Sequence, residues 1–143
     1  MPRSITRSFY LWMGAILAAI VELGVSLAIT PGGAIAAADE RLAEISVRGI
    51  AYAALTALAL AMRGGSNLAR HLLALAFGLF GTISLVIEPS SWLLRGGDLY
   101  GFLAEADGPL WVMILSRIAH IICVVAGTAL MYRPADRSYF RRS

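Results

Sequence analysis

Four long apolar segments constrain the fold of this chain more than any other feature. Each is close to the ~20 residues that a helix needs to cross the hydrocarbon core of a bilayer, and they lie at about residues 9–30, 45–62, 68–87 and 109–132. Hydrophobic residues make up 59% of the 143 residues and charged residues only 15%, a smaller charged share than soluble domains carry. We therefore predict an all-α, polytopic membrane protein with one domain, residues 1–143, in which four transmembrane helices form an up-down bundle.

The positions of the arginines predict how these helices are oriented. Lysine is absent, and most of the arginines lie in the two tails and in the loop between the second and third segments. The other two loops carry most of the acidic residues. Because cytoplasmic loops of membrane proteins have an excess of basic residues, both termini are predicted to be cytoplasmic. No nucleic-acid partner is expected, since the basic residues form short flanks beside membrane segments rather than a stripe with interleaved aromatics.

The composition also predicts where the protein is found. The absence of lysine and the many Ala and Gly residues are typical of a GC-rich bacterial genome. Together with the four apolar segments, this predicts a multi-pass protein of the bacterial inner (cytoplasmic) membrane. A competing interpretation is a cleaved signal peptide, with residues 1–7 as its basic region and cleavage after Ala38. The first apolar segment, however, is longer than the usual 7–15 residues and contains Glu22.

The loop between the third and fourth segments is more apolar than a solvated loop should be. We interpret it as an interfacial segment lying on the outer leaflet. The alternative is a surface that docks a partner protein or covers an outward cavity. The residues that carry either role are Trp92, Leu93, Leu94, Tyr100, Phe102 and Trp111.

Three polar residues are predicted to meet inside the membrane. At 1.5 Å per residue, Glu22 falls near the middle of the first segment, at a depth between Arg117 and His120 of the fourth. Arg117 and His120 are three residues apart and therefore share one helix face. A charge at the bilayer centre costs at least ~2.5–3.5 kcal/mol, so the first and fourth helices should pack with Glu22 bonded to Arg117 and within reach of His120.

This membrane-embedded polar cluster has three possible roles. It can be a buried ion pair that fixes which helix packs on which. It can be a proton or ion relay, in which a histidine titrates near neutral pH beside a carboxylate held by arginine. It can also be a polar contact to a partner subunit's membrane helix.

A second pair, Arg48 and Glu88, is predicted at the outer boundary, because hairpin geometry brings the start of the second segment beside the end of the third. No metal site or cofactor is predicted. His71 and His120 differ by roughly 12 Å in depth, which is too far for both to bind one haem within one protomer. Cys123 is the only cysteine, so neither a disulfide nor a Cys/His metal motif can form within the chain.

The stretch YLWMGAILAAIVELG, residues 10–24, resembles the first span of the small multidrug-resistance transporters, which also have four short spans and a membrane glutamate. The likeness covers these fifteen residues and is mostly one of hydrophobic composition. This chain departs from that family in its longer first loop, its single-orientation charge bias, and the presence of Arg117 and His120.

The sequence predicts an accessory or scaffolding subunit of a larger envelope or transport complex, without catalytic activity of its own. Its partners would be the lipid bilayer and either other membrane-protein subunits or further copies of the chain. The alternative is a small oligomeric transporter or ion-coupled channel that uses Glu22 with Arg117 and His120. An enzyme is less favoured, because no nucleophile–base pair, paired carboxylates or metal spacing stands out.

Overall fold

The computed structural model describes the backbone of residues 2–136 and 138–141, and their side chains except at positions 33, 36, 37, 88, 136 and 141. Within these residues the chain is 86% helical and has no strand. The helices are α1 (Arg3–Ala28), α2 (Gly33–Glu40), α3 (Leu42–Arg63), α4 (Asn67–Leu94), α5 (Leu99–Ala104) and α6 (Gly108–Met131). Four of them, α1, α3, α4 and α6, are long and apolar enough to span a membrane, which indicates a multi-pass membrane protein.

Polar caps and glycine turns set the helix ends. The Asp107 carboxylate accepts a hydrogen bond from the Leu110 N–H at 2.9 Å, and so caps an otherwise unpaired donor in the first turn of α6. Gly32 and Gly65 have φ values of 91° and 101°, which residues with a Cβ rarely adopt. These glycines let the chain turn after α1 and between α3 and α4.

The closest helix pair is α1 and α6, which run antiparallel. The Ser8 hydroxyl donates to the carbonyl of Gly127 at 2.7 Å. A Cβ placed on Gly127 would lie 3.3 Å from the Trp12 ring. Absence of a side chain at this position therefore allows the two backbones to approach closely, as small residues do between membrane helices.

The other two long helices pack against this pair, with α3 antiparallel to α1 and α4 antiparallel to α6. The Tyr52 hydroxyl of α3 lies 3.3 Å from the Ala19 carbonyl of α1, to which it donates. Beyond α6, the Tyr132 hydroxyl lies 2.7 Å from Nδ1 of His71 in α4. One end of the bundle therefore carries both chain ends and the 64–66 turn; we call it the tail end. The opposite end carries α2 and α5, and we call it the loop end.

The apolar core lies mainly in the tail half of the bundle. In α1 it extends from Ile5 to Ile16, and Trp12 is only 1% exposed. Other buried members come from α3, α4, α6 and the C-terminal tail: Leu55, Ala59, Met62, Ala69, Leu73, Val124, Met131 and Phe140. Toward the loop end, Glu22 is the buried side chain of α1. Contacts between polar side chains therefore contribute more to helix packing at the loop end than in the tail half.

The C-terminal residues that follow α6 fold back against the tail end of the bundle. The Arg70 guanidinium lies over the ring of Tyr132 at 4.8 Å and over that of Phe140 at 4.4 Å. The Tyr139 hydroxyl donates to the carbonyl of Arg63 at 2.6 Å. Such cation–π and hydrogen-bond contacts fix the tail beneath α3 and α4.

The third long helix is longer than the apolar segment at about residues 68–87. It continues through Pro89 to Leu94. Proline removes only the hydrogen bond to the carbonyl four residues earlier, and membrane helices tolerate such losses. The same helix contains a π-helical stretch, Leu73–Leu79, in which the backbone is wider than in an α-helix.

Candidate functional site

The carboxylate of Glu22 and the guanidinium of Arg117 meet between α1 and α6. Arg117 donates to Oε1 of Glu22 from Nε at 3.2 Å and also from Nη2. The Glu22 side chain is 11% exposed and that of Arg117 is 33% exposed. The structure therefore gives the buried carboxylate a charged, hydrogen-bonded partner, as the cost of an isolated charge requires.

Side-chain direction explains how these two residues meet although their backbones lie at different depths. Glu22 is six residues, about 9 Å, from the end of α1, and Arg117 is nine residues, about 14 Å, from the start of α6. Side chains in helices lean toward the N-terminus. Glu22 therefore leans toward the tail end and Arg117 toward the loop end, and this closes the difference.

His120 has a different partner. Its Nδ1 lies 2.8 Å from the carbonyl of Ala15, one helix turn or more toward the tail end from the ion pair. Ala15 and Glu22 are seven residues, about 10 Å, apart on α1, so the imidazole bonds at another level. The predicted three-residue cluster is thus two separate contacts along one α1–α6 seam. Because a carbonyl only accepts, Nδ1 of His120 is the donor.

Arg48 forms its ion pair within its own helix. Its Nε donates to Oε1 of Glu44 at 3.0 Å, and its Nη2 lies 2.9 Å from the same oxygen. Glu44 precedes Arg48 by four residues, which is the spacing at which helix side chains meet. The side chain of Glu88 lies outside the described residues, so the predicted pair of Arg48 with Glu88 stays a prediction.

Arg41 extends this network to α1. It donates from Nε and Nη2 to the two oxygens of Glu44, at 2.8 and 2.9 Å, and from Nη1 to the Ser26 hydroxyl at 3.0 Å. The hydrogen bond to Glu44 raises the pKa of the Arg41 guanidinium. Neither Arg41 nor Ser26 was predicted as a site residue, although the 41, 44, 48 spacing indicates one helix face.

A small polar pocket joins the ion pair to this network. Its volume is about 110 Å³. We call it the polar pocket, and its lining residues are Glu22, Leu23, Ser26, Arg41, Arg48, Met113 and Arg117. Three guanidinium groups here face the carboxylates of Glu22 and Glu44, so the surroundings have an excess of one positive charge. Such a pocket favours an anion.

The apolar residues predicted as an interfacial or docking loop are divided between three helices. Trp92, Leu93 and Leu94 end α4, Tyr100 and Phe102 belong to α5, and Trp111 lies in the first turn of α6. The rings of Trp92 and Phe102 contact each other at 5.5 Å between centroids. The side chain of Leu94 is 89% exposed and that of Tyr100 is 85% exposed. Phe102 instead lines an apolar cleft between α4 and α6.

Nothing in the described part of the chain gathers the ligands of a metal ion. Among these residues, no group of three or more His, Cys, Asp or Glu side chains lies close enough to hold one. His71 is bonded to Tyr132 at the tail end and His120 to Ala15 within the bundle. The geometry therefore gives these histidines separate polar partners.

This arrangement can do two things chemically. A paired carboxylate and guanidinium can hold α1 against α6, because breaking the pair would leave a charge in a low-dielectric site. The polar pocket can also receive an anionic group beside Arg48 and Arg117. Compared with known proteins, the chain matches no family model, and no curated protein or solved structure is significantly similar to it.

Proposed function

We propose that the protein is a non-catalytic accessory or scaffolding subunit of a larger envelope or transport complex in the bacterial inner membrane. In this proposal the four long helices cross the bilayer in alternating directions. The tail end, with Arg3, Arg7, Arg63 and Arg70, faces the cytoplasm in accordance with the positive-inside rule. The loop end faces outward, and α5 lies at the outer interface.

The observation that carries this proposal is a row of small residues on the face of α3 that points away from the other helices. Gly49, Ala53, Ala57 and Ala61 follow one another at intervals of four, and all are exposed. A Cβ added to Gly49 would meet no described heavy atom within 4 Å. We call these four residues the small-residue stripe. Stripes of this spacing let the backbone of another membrane helix approach closely.

The embedded charges support a structural role within such a subunit. Glu22 is paired with Arg117, and His120 is bonded to a backbone carbonyl. The two contacts lie about 10 Å apart along α1. Both tie α1 to α6, and this holds the subunit together while α3 remains available to a partner.

Copurification tests the proposal. The wild-type chain, extracted from its native membrane in mild detergent, should bring down one or more membrane proteins in fixed stoichiometry. The double variant Ala53→Leu/Ala57→Leu fills the stripe and should lose them. The matched control is Ala119→Leu/Ala129→Leu, which enlarges exposed small residues on α6. A lone monodisperse monomer from the wild type, or partners retained by the stripe variant, would contradict the proposal.

A second candidate is a small oligomeric transporter or ion-coupled channel, which the polar pocket beside Glu22 favours. In that case Glu22→Gln should abolish a proton-linked flux in proteoliposomes while the protein remains folded. A flux that is absent in the wild type, or a Glu22→Gln variant that loses only thermal stability, would leave the ion pair with a structural role alone.

A further inference from the structure

The loop half of α4 packs only loosely against the rest of the bundle. Among the described side chains of this helix, Ala69 and Leu73 are buried; Ala69 precedes the π-helical stretch and Leu73 begins it. None of the described side chains from 80 to 94 is buried. The segment beyond Leu79 keeps few contacts with α6, and a cleft lies between the two helices.

This α4–α6 cleft is apolar and large enough for part of a ligand. Its volume is about 320 Å³, and a second cavity of about 400 Å³ adjoins it under α5. Both lie within the ~300–1,000 Å³ typical of small-molecule sites. The side chains that line the cleft and carry the argument are Leu85, Pro89, Phe102, Ile114 and Ile118.

One arginine connects the cleft to the polar pocket. Arg117 lines the cleft, its adjoining cavity and the polar pocket, and Met113 lines both the cleft and the pocket. Arg117 donates to Glu22 from Nε and Nη2. A guanidinium has five N–H donors. Arg48 uses Nε and Nη2 on Glu44. Donors therefore remain on two arginines that face the same small pocket.

We propose that this composite site binds one anionic phospholipid, with its phosphate in the polar pocket at Arg48 and Arg117 and an acyl chain in the α4–α6 cleft. Charge complementarity argues for this occupant, because three guanidinium groups there outnumber two carboxylates. Arginine recognises phosphate through paired hydrogen bonds. An apolar cleft that shares Arg117 and Met113 with a cationic pocket matches a molecule with an anionic head and a hydrocarbon tail.

Native mass spectrometry of the full-length detergent-solubilised protein tests the site. Phosphatidylglycerol, phosphatidylcholine and decanoate are added at equal mole fraction. We expect one phosphatidylglycerol to be retained preferentially. Arg48→Gln should weaken this retention about tenfold, the effect of one lost charge-assisted hydrogen bond. The control Arg95→Gln removes an exposed arginine that lines neither the pocket nor the cleft, and should retain the lipid as the wild type does.

A second variant keeps the test decisive if Arg48→Gln fails to fold. Ile118→Trp fills the cleft from an exposed position. It leaves the Glu22–Arg117 and Glu44–Arg48 pairs intact. It should also lose phosphatidylglycerol retention. Four results would overturn the proposal: equal retention of the two phospholipids, equal retention by Arg48→Gln and Arg95→Gln, unchanged retention by Ile118→Trp, or Arg48-dependent binding of decanoate in place of phospholipid.

Discussion

Removing either member of the Glu22–Arg117 pair should destabilise the protein, and the two losses should differ in size. Breaking a buried pair costs about 3–5 kcal/mol when the remaining charge stays buried. Glu22 is 11% exposed and Arg117 is 33% exposed with its side chain directed toward the loop end. A lone Glu22 is therefore harder to hydrate than a lone Arg117, whose long side chain can reach water.

The perturbations are Arg117→Leu, Glu22→Leu and the double variant. We expect Arg117→Leu to lower the free energy of unfolding by about 3 kcal/mol, near the lower limit for a stranded buried charge. Glu22→Leu should lower it by about 2 kcal/mol, because the remaining arginine is partly hydrated. The double variant should lose less than about 2 kcal/mol, since apolar replacements of a whole buried pair are often neutral.

Reversible unfolding in mixed micelles, followed by the far-ultraviolet circular dichroism signal during a titration with sodium dodecyl sulfate, measures these losses. The control Leu115→Ala changes a residue of α6 that is 59% exposed, and should cost within about 0.5 kcal/mol. A double variant whose loss equals the sum of the two single losses would show that the residues are uncoupled. A larger loss for Glu22→Leu than for Arg117→Leu would refute the argument from exposure.

Three further predictions concern the packing of the tail half, and the same titration measures each of them. Trp12→Ala should cost about 3–5 kcal/mol because the indole is 1% exposed, whereas Trp111→Ala, at 41% exposure, should cost far less. Phe140→Ala should cost about 3 kcal/mol, since the ring is 3% exposed; a loss below that of Trp111→Ala would show that the tail does not pack here. Ser8→Ala should cost about 0.6 kcal/mol and at most about 1.7 kcal/mol, the mean and the maximum for hydrogen bonds between membrane helices, because it removes the bond to Gly127; an unchanged midpoint would contradict that bond.

The helical class and the meeting of Glu22 with Arg117 follow from arguments that a sequence supports well. The thickness of the bilayer sets the length of an apolar helix that spans it, and the described residues form four helices of that length. The depth of a charge within such a helix limits which partners it can reach, and its cost makes pairing favourable. The orientation of the helices and the interfacial position of the loop stay predictions.

Other contacts depend on information that residue identities do not carry. The partner of His120 is a backbone carbonyl, and every residue supplies one, so the sequence could not single out Ala15. Arg48 had a carboxylate four residues away, and this local pair is geometrically easier to form than one across a hairpin. The four-residue spacing of Glu44 and Arg48 therefore predicts this pair.

The cleft was the hardest feature to predict. It lies between α6, α5 and the part of α4 that follows the π-helical stretch and contains Pro89, and neither feature of α4 was predicted. Proline is a helix-breaking signal in water, where a freed carbonyl can be solvated and the helix can stop. Within a membrane, ending the helix would leave several backbone N–H and C=O groups unpaired, whereas a proline removes only one hydrogen bond.

Photo-crosslinking in intact native membranes tests the central claim, that the small-residue stripe of α3 contacts another subunit. A photoreactive amino acid is placed at Ala57 of the stripe, or at Ala119 of α6 as the matched control. The account predicts one discrete cross-linked product from position 57, of constant mass, and none of that mass from position 119. The absence of a discrete product at position 57, or the same product at both positions, would contradict it.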